Sequence, residues 1–118
     1  MNPQERIDAL NVALAAVNKA IAAAEQAKKT SIDPAEITQL TSELADLQAE
    51  RQSLGFRIAT LQTPAGAIGA ISADNATKIA TLSAELGQAA AASATVSAVL
   101  DFANSALDKA VKMRAAGA

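Results

Sequence analysis

The 118 residues include 32 alanines, two aromatics and neither cysteine nor histidine, and their formal charges sum to −2 at pH 7. This composition excludes a disulfide framework, a thiolate nucleophile, and the commonest general base and metal ligand. Interspersed signs leave no basic stripe for nucleic acid, and the length suits one domain with a modest core of its own.

A helix start signal opens the chain. Asn2 can cap, Pro3 fits the first helical position because its missing N–H would be unbonded there anyway, and Glu5 can reach back in a capping box. Apolar residues then recur every three and four positions, at Ile7, Leu10, Leu14, Val17, Ile21 and Ala24. That alternation is the heptad seam of helices packed lengthwise on one another. It predicts a first helix over 3–29, with Lys28 and Lys29 complementing the dipole at its end.

Thr30-Ser31-Ile32 forms the connection, and Asp33-Pro34-Ala35-Glu36 repeats the start signal. Ile32 and Ile37 have the spacing of a hydrophobic staple. A second helix is predicted over 34–62, stopping before Pro64. Its seam reads Ile37, Leu40, Leu44, Leu47, Arg51, Leu54, Ile58 and Leu61. So short a polar turn favours antiparallel neighbours, hence a helical hairpin.

Residues 63–70 are the one Gly/Pro-rich punctuation, after which a third helix is predicted over 73–114. Its seam is Ile79, Leu82, Leu86, Ala89, Ser93, Val96, Leu100, Ala103, Leu107 and Ala110. Gly87 and the Ala/Ser-rich residues 89–94 are its weakest points, and residues 115–118 are expected to fray. The fold class expected is all-α: an antiparallel three-helix, coiled-coil-like bundle in a single domain, residues 1–118, with a third helix longer than the hairpin.

That mismatch in length is the main functional clue. Partners within the chain would run out near residue 101, leaving Phe102, Ala103, Leu107, Ala110 and Val111 as an uncovered apolar stripe. Such a stripe is expected to be buried by another copy of the chain or by a partner helix. Arg51, standing in the seam where a leucine would be expected, is assigned a structural pairing with Glu85.

No catalytic constellation emerges. The carboxylates Glu36, Glu43, Asp46 and Glu50 lack the histidines that complete di-metal sites in helical bundles, so they read as a solvated face. Asn75-Ala76-Thr77 matches a glycosylation acceptor, but such triplets are common by chance. No cofactor, metal, small-molecule substrate, nucleic acid or enzymatic activity is expected. The expected role is a non-catalytic interaction or assembly protein, such as an adaptor, inhibitor or accessory protein, forming a homo-oligomer or clasping a protein partner. The alternative is a structural subunit of an exported filament or phage particle. The excess of Ala, Ser, Thr, Asn and Gln is similar to that of secretion-needle, flagellar axial and phage particle proteins, a likeness of composition alone. Pro3, Glu5 and Asp8 interrupt any signal-peptide pattern, and no run approaches the ~20 apolar residues of a membrane span. A cytoplasmic location is expected, with signal-less export or incorporation into a particle left open.

Overall fold

The computed structural model describes residues 1–64, 69, 71–88 and 95–118. Among them the chain is all-α, without a strand, and forms four helices: α1 (Pro3–Thr30), α2 (Pro34–Leu61), α3 (Ala73–Gln88) and α4 (Val96–Ala115). The start signals act as expected. Asn2 Oδ1 accepts from the Glu5 amide at 2.8 Å while Glu5 Oε1 accepts from the Asn2 amide at 3.0 Å, closing the capping box. Asp33 caps α2 through the Ala35 amide at 2.9 Å. Ile32, by contrast, is 96% exposed, so the staple with Ile37 does not form.

The predicted third helix is two helices, which corrects the count from three to four. Thr95 is extended (φ −142°, ψ 157°), and its hydroxyl accepts from the Ala98 amide at 3.1 Å, starting α4 afresh. The expected helical course through 89–94 lies outside the described residues. In sequence that stretch offers only alanine and serine, with no large side chain whose burial would hold one long helix together.

The break lets α4 fold back along the hairpin. Its end meets the start of α1, where an Arg6 guanidinium N–H donates to the Gly117 carbonyl at 2.7 Å. Its start adjoins Ala27 and Thr30 at the end of α1. Helix α4 is therefore antiparallel to α1 and parallel to α2. Helices α1, α2 and α4 pack on one another, while α3 lies against α1 and α4 and, among the described residues, does not touch α2.

The common core follows from these contacts. Leu10, Val17 and Ala24 of α1 and Leu40, Leu47 and Leu54 of α2 are sealed from solvent, as are Ala103, Ala110 and Met113 of α4. Helix α1, touching all three others, buries two flanks of its heptad: Ile7 and Ile21 on one, Ala13 and Ala20 on the other. Alanine on the second flank, facing the alanines of α4, suits axes toward the ~8 Å end of the usual spacing. Helix α1 also holds an 18-residue window of mean hydropathy 1.4, which by length and composition alone would suffice to cross a membrane. In the bundle 44% of that window is buried.

Candidate functional site

Two features of the structure could carry function: a polar cluster where the helix ends meet, and an uncharged outer face on α2.

The polar cluster grows from a heptad position expected to be part of a solvated face, an expectation that fails for Glu43 and Glu50 because α4 covers that flank of α2. Glu43, Glu50 and Arg57 follow one another at intervals of seven beside the leucine spine of α2. Glu43 and Glu50 are buried, and Arg57 is half-buried. Arg51, one residue further round the helix, is exposed, so it is not the polar residue of the seam. Nor is Glu85 its partner. Glu85 pairs with Lys109 across α3 and α4 at 3.5 Å. The physical reason is that α4, not α3, lies along α2. The α2 flank that it covers is the one holding Glu43 and Glu50.

Glu50 receives a bidentate pair of bonds from Arg114 of α4, from Nε to Oε1 and from an Nη to Oε2, both at 2.6 Å. This planar fork is the strongest arrangement for a guanidinium and a carboxylate. The bond holds the Arg114 pKa above its ordinary value, against a smaller opposing effect of burial. Glu43 has no such partner: its Oε1 is buried without a hydrogen bond. Burial, reinforced by the nearby charge of Asp46, raises its carboxyl pKa above the ordinary value.

The last residues complete the cluster. Gly117 adopts φ +103°, which an L side chain resists. Its amide donates to the Arg114 carbonyl at 3.0 Å and the Ala118 amide donates to the Met113 carbonyl at 3.1 Å, the pattern of a Schellman cap. The turn aims the Gly117 and Ala118 carbonyls at the bundle. Arg57 Nε donates to Ala118 at 3.0 Å, and Arg6 donates to Gly117. Residues expected to fray are thus tied down, with Ala118 only 1% exposed. The signal was present in sequence as a glycine just past a helix ending in Lys112 and Arg114.

The apolar stripe expected to need an outside partner finds its cover within the chain. Ala103 and Ala110 are fully buried, and Phe102 and Leu107 pack partly buried against the core. Val111 remains 43% exposed. The premise of an overhang beyond residue 101 fails because α4 runs back along α1 and α2.

The exposed surface shows the second feature. Thr38, Ser42, Ala45, Ala49, Gln52, Phe56 and Ala59 follow a 4-3-4-3-4-3 spacing on α2, and every one is exposed. The stripe lies opposite the leucine spine and carries no charge, although α2 holds six ionisable residues elsewhere. Phe56, one of only two aromatics, is 75% exposed on it. Gly55 beside it meets nothing within 4 Å where a Cβ would be. Six of its seven residues give no apolar signal, because alanine, serine, threonine and glutamine at heptad spacing do not register as an apolar seam.

Chemically, these arrangements fasten helices and offer faces. Among the described residues no group of three or more His, Cys, Asp or Glu stands close enough to hold a metal ion. No family model, curated protein or solved structure matches the chain.

Proposed function

We propose that the chain is a non-catalytic assembly protein that pairs through α2, with a second copy as its first partner and a helix of another protein as the related case. The observation that supports this reading is the exposed, uncharged heptad stripe from Thr38 to Ala59, with Phe56 at 75% exposure. Small residues at 4-3 spacing let two helices approach closely, and an aromatic with little rotamer entropy suits the anchor of such a contact. A two-fold axis through the stripe would bury it against itself, completing the contact with one surface.

The test is the mass in solution across a dilution series, by light scattering, for the parent chain and for Ala49→Lys. Ala49 is exposed in the bundle, so the lysine should leave the melting temperature unchanged while placing a charge in mid-stripe. A parent mass of two or more chains that falls to one in the variant is expected. A parent that stays monomeric at millimolar concentration would refute self-pairing. The stripe of α4 is not the place to test it, because Leu107 is half-buried in the fold, and a charge there would unfold the chain before dissociating anything.

A further inference from the structure

Where the ends of α1, α2 and α4 meet the start of α3, an open recess of about 360 Å³ is lined by Arg6, Arg57, Ser72, Asn75 and Gly117. Two guanidiniums enter it: Arg6 and Arg57 both donate to the neutral Gly117 carbonyl, at 2.7 and 3.5 Å, and Arg57 also donates to an oxygen of Ala118 at 3.0 Å. The nearest buried carboxylate, Glu50, is committed to Arg114 by both of its oxygens. Glu5 of α1 is engaged with the Asn2 amide.

Arg6 is only 4% exposed, and its Nε is buried with no hydrogen-bond partner. A desolvated cation with an idle donor is costly unless an anion answers it. Burial and, after it, the like charge of Arg57 lower the Arg6 pKa. Helix α3 starts at the same recess, where the Ser72 hydroxyl accepts from the Asn75 amide at 3.1 Å. The positive end of its dipole adds to the field of the two arginines.

We infer that this recess is an oxyanion site, in which Arg6 and Arg57 hold a phosphate or carboxylate group beside the first turn of α3. Guanidinium forks match the paired oxygens of both groups. The bound anion joins residues from all four helices, so it fastens α3 to the rest of the bundle. The site is independent of whatever α2 pairs with.

The two sources of the group are separable. A preparation ending at Ala118 carries its own α-carboxylate beside Arg57, and a C-terminally amidated preparation does not. Inorganic phosphate is titrated into both at constant ionic strength, and the Nε–H resonances of Arg6 and Arg57 are followed by NMR. A saturable shift in both preparations assigns the site to a free oxyanion. A shift in the amidated chain alone also supports the site, with a carboxylate as its occupant. In the responding preparation, Arg57→Gln should weaken phosphate by about tenfold or more, the loss of one charge-assisted fork. Arg57 is only half-buried, so this variant should keep the fold. No phosphate-specific shift in either preparation overturns the inference. Equal affinity in Arg57→Gln does so too.

Discussion

Removing Arg114 tests how the bundle tolerates charge in its interior. Glu50 is 5% exposed, and both of its oxygens are bonded to Arg114, so Arg114→Met leaves a carboxylate largely out of water with no partner. Breaking a buried pair in this way costs about 3–5 kcal/mol. The Arg114 side chain is itself 32% exposed, so water reaches the vacated position and the expected cost falls to about 2–3 kcal/mol. For a chain of this size that is a drop of roughly 6–12 °C in melting temperature. The same substitution in a Glu50→Leu background should cost under ~1 kcal/mol, because no charge is left stranded. Urea unfolding followed by helical circular dichroism gives all four corners of the cycle. The Arg114 pKa is raised by its bond to Glu50. Its contribution is therefore fully present at neutral pH and is lost only at strongly alkaline pH. Equal costs of Arg114→Met in the two backgrounds, within ~0.5 kcal/mol, would show that the pair carries no coupling and that the reasoning is wrong.

Three further outcomes follow from the same interior. Leu47→Ala, at a sealed position of the α2 spine, should cost about 3–5 kcal/mol by chemical denaturation, whereas Arg51→Ala on the exposed side should stay within ~0.5 kcal/mol. Ala106→Leu should destabilise by about 1–3 kcal/mol, since Ala106 is 1% exposed and a longer side chain would push α4 from its neighbours. Glu43→Gln should stabilise the chain at neutral pH by ~1 kcal/mol or more, because it removes a buried charge lacking a bond at Oε1. The parent carboxyl pKa is raised in the folded state from its ordinary 4.5, so the fold binds that proton more tightly than the unfolded chain does. Parent stability should therefore decline as pH rises from 4.5 through the folded value, and the Gln variant should lack that slope. Urea midpoints measured from acid to neutral pH check this.

The helix starts were legible because Asn2 and Asp33 declare them through local chemistry, and so was one line of every seam. Leu10 and Val17, Leu40 and Leu47, Ala103 and Ala110 are all buried where the 3-4 pattern put them. What the pattern does not reveal is a second buried heptad line beside it. Size pointed to Leu14, Ile58, Leu100 and Leu107, and these lie at the half-buried margin. Ile7, Ile21 and Leu44 on the same lines are buried, and close contacts come as well from Ala13, Ala20, Glu50, Val99 and Ala106 on the line one residue earlier. Helices that approach closely leave room for alanine at the line of contact and push leucine to its edges, while a paired Glu and Arg take the place of an apolar knob. Hydrophobicity alone ranks those positions in the wrong order. The fold-back of α4 was illegible for a related reason. Thr95 caps a helix only where the chain breaks before it, and an Ala/Ser-rich stretch signals a weak point rather than an end.

The lack of contact between α3 and α2 has a consequence for how the molecule comes apart. Helix α3 is held by two fully inserted side chains, Ile79 and Leu86, with Leu82 half-inserted. Each full insertion is worth about 1.5–3 kcal/mol, set against the chain entropy of sixteen residues. Lifting α3 away leaves the packing of α2 on α1 and α4 intact and the sealed leucines of α1 and α2 in place. Hydrogen exchange should therefore resolve two energy levels. The amides of α3 should exchange through a local opening well below the global free energy, while those around Leu10, Leu47 and Ala110 should exchange only when the whole chain unfolds. In that intermediate opening Val12 and Ala9 of α1 would meet solvent. A protease working under native conditions should accordingly cut within α3 long before it reaches the other three helices.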